Sequence, residues 1–449
     1  MIWKLDQVRS QVNVFPSVMT VKEQAMESAS RSDVKLTPAV EHMPLSYKDH
    51  WVYQLDGQGG RILHQARFRF LPPYEGKSVL AWGLAQMDNG EIAVAGIAGF
   101  DAIRDQRQTV IGISRDTGAT WSYHPIEGCH ARPMMLVYLG NGVLSFMAHD
   151  FDAPPSGNPE PEKNMWATPH ARNMRMFSHD FGRTWPEQVE DGRAPDGMQV
   201  ELEGSSLVDR DEQGVAVLLG ETGATESKGR THLAPSCGCI RWSRDGGRTW
   251  DDFSWPEEWR WQATYEGKSY ESGVCEGSMV RAANGWIVAA LRPDGPVQFA
   301  PLANDSLMGT AVSVSKDDGK TWSPLNHLFA AGRHHCCLVR LPNNDLVVTL
   351  IRRLDIRDEQ LVSYQVGCEA VVSRDNGLTW DVDHMYILDE FSAMGGPEKW
   401  SPTRDMPDGP LWYNSESVGH KFSISLDDGR ILTTYGNYRI GAALILWKP

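Results

Sequence analysis

The chain has 449 residues, 41% of them hydrophobic, and a net charge of −15, which is ample material for a large core and the wrong sign for a nucleic-acid or anionic-membrane partner. No run approaches the ~18 apolar residues of a membrane-spanning helix, and residues 1–30 lack the pattern of a secretory signal, so a cytoplasmic protein is expected, or a secreted or periplasmic one whose signal has been removed. The seven cysteines have no secreted-framework spacing and read as reduced, mostly buried thiols.

Along the chain one pattern recurs. S-x-D-x-G-x-T-W starts at Ser114, Ser178, Ser243, Ser315 and Ser373, at spacings of 64, 65, 72 and 58 residues. The physical reading is a hairpin corner. The aspartate accepts backbone N–H groups across the turn, the glycine supplies a positive φ, and the tryptophan packs between sheets. A catalytic group is needed once, so a five-fold aspartate is structural.

Ahead of each corner stands a strand, a tight turn and a second strand: 84–87 and 92–95 around Asn89-Gly90, 134–139 and 143–147 around Asn141-Gly142, 205–208 and 215–219 around Gln213-Gly214, 278–281 and 286–291 around Asn284-Gly285, and 336–341 and 346–351 around Asn343 to Asp345. Asn-Gly between apolar runs is a strong hairpin signal. Each unit is therefore four antiparallel strands, which is a propeller blade. A sixth unit begins at 422–426, turns at Asp428-Gly429 and ends before any corner. The N-terminal segment is expected to supply its missing outer strand, from 4–15 or from 67–70, with 51–70 as an alternative seventh unit. The expected fold is one all-β, six-bladed propeller over residues 1–449. Its blades run approximately over 79–128, 129–195, 196–262, 272–328, 333–385 and 418–449, with 1–78 closing the last. Three irregular stretches, 152–169, 255–272 and 382–419, are expected as loops on the binding face.

The corners and inner hairpins resemble the sialidase superfamily over roughly residues 80–447. That resemblance implies three arginines clamping a sugar carboxylate, a tyrosine nucleophile paired with a glutamate, and an aspartate acid/base. The fourth unit carries the pattern best, with Glu276 opening one strand and Arg292 ending the next. Elsewhere the chain departs. Trp82-Gly83-Leu84 stands where the first arginine segment would be, Ser363-Tyr364-Gln365 lacks a further arginine, and His420 stands where the nucleophilic tyrosine would be.

The start of an inner strand and the end of the next share one face. This groups Arg132 with His149 and Asp150, Glu203 with Glu221, Glu276 with Arg292, His334 and His335 with Arg352 and Arg353, and His420 with Tyr435 and Arg439. Such a density of ionisable groups points to a functional face, although Arg353 can equally face solvent. Three functions remain open. A carbohydrate-active hydrolase on an anionic or terminal glycan residue would clamp a carboxylate with Arg132, Arg292 and Arg352. It would draw acid and base from Glu203, Glu221, Glu276 and Asp150, and use Tyr435 or His420 as nucleophile with Glu276 as its base. His149, His335 and Trp82 would line the substrate, and the tryptophans of 255–261 with Trp412 and Tyr413 would stack on sugars. A polysaccharide lyase acting on a uronic-acid glycan would use His420, His335, Tyr435 and arginine without a nucleophile. A non-catalytic glycan-binding propeller is the third. No motif calls for a cofactor. A zinc site from His334, His335, Cys336 and Cys337 is the alternative to buried thiols, but residues adjacent on a strand point to opposite faces and do not easily converge on one metal.

Overall fold

Short apolar runs punctuated by Asn-Gly and Asp-Gly turns have one low-energy outcome, the antiparallel hairpin. The computed structural model describes residues 44–99, 107–149, 151, 172–197, 199–225, 236–295, 307–357, 360–363, 365–392, 419–437 and 441–449. The chain is all-β with a propeller-like arrangement. The first unit orders Val79–Gln86, Ile92–Ala98, Gln108–Ser114 and Ser122–Pro125 from the inside outward, and the second Arg132–Gly140, Val143–His149, Met174–Ser178 and Glu187–Glu190. In the third, Ala216–Thr225, Cys237–Ser243 and Asp252–Ser254 follow an inner strand split into Val200–Leu202 and Leu207–Arg210. The fourth comprises Val274–Arg281, Ile287–Pro293, Thr310–Ser315 and Asn326–Phe329.

Two short hairpins stand apart, Trp261–Tyr265 with Lys268–Ser272 inside the stretch 255–272 expected as a loop, and Asp355–Arg357 with Gln360–Ser363, while the other remaining strands form one nine-stranded sheet. Arg333–Arg340, Leu346–Arg352, Gln365–Ser373 and Tyr386–Ser392 make the fifth unit, while Gly419–Ser425, Ile431–Asn437 and Gly441–Trp447 make the sixth. The N-terminal strand Arg61–Phe70 completes the sixth, running from Arg67 opposite Leu446 to Phe70 opposite Ala443. Of the two segments expected in that place, 67–70 is the one seen, and 4–15 lies outside the described residues. Strand Lys48–Leu55 folds back and joins the fifth unit through Tyr53 opposite Ile387 and Gln54 opposite Tyr386. Residues 51–70 thus seal an open edge and build no unit of their own.

The five repeated corners behave as their chemistry requires. The serine hydroxyl accepts the glycine N–H at 2.7–2.9 Å. The aspartate accepts the threonine N–H at 2.7–2.9 Å and its hydroxyl at 2.6–2.7 Å. Each corner follows a third strand. Inner strands begin at the opposite end of every unit, so the repeated aspartates lie away from the face where ionisable residues gather.

That face is shaped by bulges. Five inner strands slip register near their start, between Ala81 and Gly83, Met134 and Val137, Val274 and Gly277, His334 and Cys337, and Gly419 and Lys421. A bulge bends the strand and re-aims the extra side chain. Glu276 and His335 are bulge residues, and His335 has φ +51°, a left-handed conformation costly for a side chain with a Cβ. In the third unit the strand breaks outright at Gly204, φ +146°, where a Cβ would meet the Gly277 carbonyl oxygen at 1.9 Å. Only glycine allows that approach, and it lets the Glu203 carbonyl accept the Gly277 N–H at 3.1 Å. Glu203 is thereby fixed one residue from Glu276.

Candidate active site

Three buried side chains from three units converge on this face. His335 Nδ1 lies 2.9 Å from Glu203 Oε1 and 3.1 Å from Glu276 Oε2. Arg292 Nη1 holds the other Glu276 oxygen at 2.8 Å, and its Nε contacts Cys275 Sγ at 2.8 Å. Arg353 Nη2 lies 2.8 Å from His335 Nε2. Asp294 anchors the approach to Glu276 by accepting the Gly273 N–H at 2.8 Å and the Ser236 hydroxyl at 2.7 Å. Burial and the neighbouring Glu203 charge push the Glu276 carboxyl above its ordinary range, against Arg292 and His335. Against burial, Glu203 and Glu276 draw the His335 pKa up to about 9, with Arg353 opposing.

The same triad turns three ligand atoms into one space, all within 4.8 Å of one another. It nevertheless fits a metal poorly. Nδ1 as ligand would leave the imidazole proton on Nε2, facing the guanidinium of Arg353, and Arg292 already holds one Glu276 oxygen. A shared proton suits these residues better than a divalent ion.

The other expected residues divide. Arg132 is opposite His149 and its Nη2 contacts His149 Nδ1 at 2.9 Å. Glu221 does not join Glu203. It is fully buried in a quartet with Arg175, Asp191 and Arg241, at 2.9 Å from Arg175 and 2.7 Å from Arg241, so it has no place in the acid/base pool. Arg352 is likewise corrected, because its guanidinium binds Glu369 at 2.9 Å and Glu390 at 2.6 Å. Arg353, grouped with His334 and His335 from the sequence with solvent exposure as the other possibility, is 4% exposed and lies beside His335. Consecutive strand residues point to opposite sides, and the bulge at His335 decides which of the two arginines faces it. Trp82 is fully buried among Leu80, Met135 and Phe422, so it is core rather than a sugar platform. Trp259 is also core, its ring 5.1 Å from Trp322.

Tyr435 is buried and its hydroxyl donates to Asp389. Burial first, then Asp389, raise its pKa well above the ordinary phenol. This is no activated nucleophile. Asp150, Arg439, Trp412 and Tyr413 lie outside the described residues, as does the side chain of His420, although its backbone belongs to Gly419–Ser425.

Lys421 was not anticipated. Its amine is buried and has no hydrogen-bond partner among the described residues. Burial lowers its pKa to about 8, opposed weakly by the thiols of Cys368, Cys337 and Cys336 and by Glu369. The unfolded chain binds this proton more tightly than the folded one, so stability should rise as pH climbs from about 8 through the ordinary lysine value. Lys421→Met should gain on the order of 1–3 kcal/mol at pH 7 and lose that alkaline rise. Denaturation curves at pH 7 and pH 10 check it, and an unchanged pH slope would rule the assignment out.

With this geometry in hand, comparison with solved structures is informative. A protein of unknown function from Dyadobacter fermentans aligns at TM-score 0.57 and 17% identity, over 85% of this chain and 98% of that one. The Hadza microbial sialidase aligns at 0.53 and 15%, over 83% and 66%. The chain has a sialidase-like fold. The intramolecular trans-sialidase from Ruminococcus gnavus, solved with oseltamivir carboxylate, aligns at 0.50 and 13%, over 84% and 96%. No protein-family model matches the sequence, and no curated protein matches it. Among the described residues no helix is long and apolar enough to cross a membrane.

Proposed function

We propose that this chain is a carbohydrate-active hydrolase of sialidase-like type, acting on an anionic or terminal glycan residue. One observation carries the reading: two buried carboxylates, Glu203 and Glu276, share the Nδ1 of His335 with Arg292 and Arg353 alongside. A glycosidic leaving oxygen needs a carboxylic acid whose protonated form is favoured, and burial with the neighbouring Glu203 charge shifts Glu276 in that direction. Arg292, with Arg132 on the second unit, would hold a sugar carboxylate through the guanidinium fork. The nine-stranded sheet is read as two blades, giving six with the four separate sheets, and the five corners as Asp boxes, all in one domain with the blade limits given above.

The Tyr435 hydrogen bond to Asp389 favours one alternative. β-Elimination on a uronic-acid glycan needs arginine to neutralise the carboxylate and a histidine to take a proton, and no tyrosine nucleophile. Incubation with aryl glycosides of anionic and neutral sugars and with uronate polymers separates these readings. Released aglycone or reducing sugar without new ultraviolet absorbance supports the hydrolase. Absorbance of an unsaturated uronate supports the lyase. Neither product from any substrate would reject both and leave a binding protein.

A further inference from the structure

Cys275 and Glu276 are neighbours in sequence, yet both meet the side chain of Arg292. On a regular strand they would point to opposite faces. The register runs from Val274 opposite Pro293 to Gly277 opposite Leu291, so Cys275 and Glu276 together stand opposite the single residue Arg292. Two residues facing one is what a bulge creates, and it turns both side chains onto one guanidinium. Glu276 Oε1 takes Nη1 at 2.8 Å, and Cys275 Sγ takes Nε at 2.8 Å. The sulfur also lies 3.7 Å from the Arg292 carbonyl oxygen. Val274, one residue earlier, packs in an apolar core with Trp259 and Met279, whereas the buried Cys275 turns to Arg292. Burial pushes its thiol up to about 12, with Arg292 opposing. A protonated thiol can accept from Nε–H and donate S–H to the carbonyl.

We infer that Cys275 is a positioning residue for Arg292: its thiol holds Nε and so sets the direction in which the guanidinium presents its charge to a ligand carboxylate. A long side chain loses rotamer entropy when it is held in one orientation. A contact on Nη1 alone leaves the planar group free to swing about that point. A second contact on Nε, from the neighbouring residue of the same strand, fixes plane and direction together, and bidentate carboxylate binding depends on both. The thiol suits the place because it accepts and donates while uncharged, so it grips Nε without setting a further negative charge against the guanidinium. The inference rests on the anionic-substrate reading for its ligand, but the grip on Nε can be tested without one.

NMR of arginine Nε–H groups on the full chain reads that grip, with the Arg292 signal assigned from its loss in Arg292→Lys. A buried, hydrogen-bonded N–H exchanges slowly with water. Wild type and Cys275→Ser, which keeps an acceptor and a donor, should both show a protected Arg292 Nε–H. Its signal should move in the serine variant, because oxygen replaces sulfur as the acceptor. In Cys275→Val, which fills the space without an acceptor, exchange should be faster by about 10-fold or more. An unprotected Nε–H in wild type, or equal protection in a folded Cys275→Val protein, would overturn the assignment. Should Cys275→Val not fold, Cys275→Ser decides it, and an unmoved signal there counts against the grip. Calorimetry with D-glucuronate and with N-acetylneuraminate supplies the second reading. Cys275→Val should bind about 3–10-fold more weakly, with Cys275→Ser within about 2-fold of wild type. A role in packing alone would lower the melting temperature and leave affinity unchanged. Equal affinity of wild type and Cys275→Val for an acid that binds sinks the positioning role and leaves the carbohydrate reading standing. Binding of neither acid by the wild type counts against the anionic-substrate reading, and the Nε signals then judge Cys275 alone.

Discussion

Glu276→Gln should lower turnover by about 10²–10⁴-fold on whichever glycan the chain cleaves, with the fold retained. The substitution preserves shape and removes the titrating group. In the wild type, burial and Glu203 raise the Glu276 pKa, which favours its protonated, acid form. The amide can still accept from Arg292 and His335, but it has no proton of that acidity to give. The pH–rate profile should lose its alkaline limb, because that limb reports deprotonation of the acid in the free enzyme. Steady-state kinetics from pH 5 to pH 9, beside melting curves, check this. Full activity in a folded Glu276→Gln protein would remove Glu276 from the chemistry and with it the proposed site.

The second large effect is on stability, at a site with no catalytic part. Glu221→Ala should destabilise the chain by about 3–5 kcal/mol. Glu221, Arg175, Asp191 and Arg241 are all essentially unexposed, and their ion-pair contacts fall between 2.7 and 3.1 Å. Removing Glu221 leaves two guanidiniums with one carboxylate in a place water does not reach. Trp250 cannot compensate, since it stacks on Arg241 at 3.8 Å and already donates to Asp191. The exposed pair Arg67–Asp49 is the control, and Asp49→Asn should cost no more than ~1 kcal/mol. Chemical denaturation compares the two. A loss in Glu221→Ala as small as the control would mean the quartet is not the fastener between the second and third units. Acid should also weaken it. Against burial, Arg241 and Arg175 hold Asp191 below its ordinary value, so the stability it contributes is present above the usual carboxylate range and is lost as pH falls through the folded value.

The repeat settled most of the architecture in advance. A serine, aspartate, glycine, threonine and tryptophan at fixed offsets can close one kind of corner, because their hydrogen bonds and the glycine's positive φ are local and need no distant partner. Asn-Gly turns fixed the inner hairpins for the same reason, and the boxless final unit left an outer strand that the N-terminal segment could supply, with a seventh unit as the alternative. The pairing of Glu276 with Arg292, and of Arg132 with His149, was also legible, since a hairpin forces strand starts and strand ends together.

What the repeat could not say is where those side chains point. Strand parity is reset by the bulges at Glu276 and His335, and a bulge is a compromise among neighbouring units rather than a property of its own few residues. That reset put Arg353 rather than Arg352 beside the histidine. Gly204 brought Glu203 to Glu276 because of the Gly277 carbonyl in another unit, more than 70 positions away in sequence. Glu221 and Arg352 met counter-charges from adjoining strands, and Trp82 met a core drawn from several units. Local chemistry therefore specified the elements and their ends, whereas burial and charge balance between units, which exist only once the ring is assembled, chose which ionisable groups became structure and which were left for function.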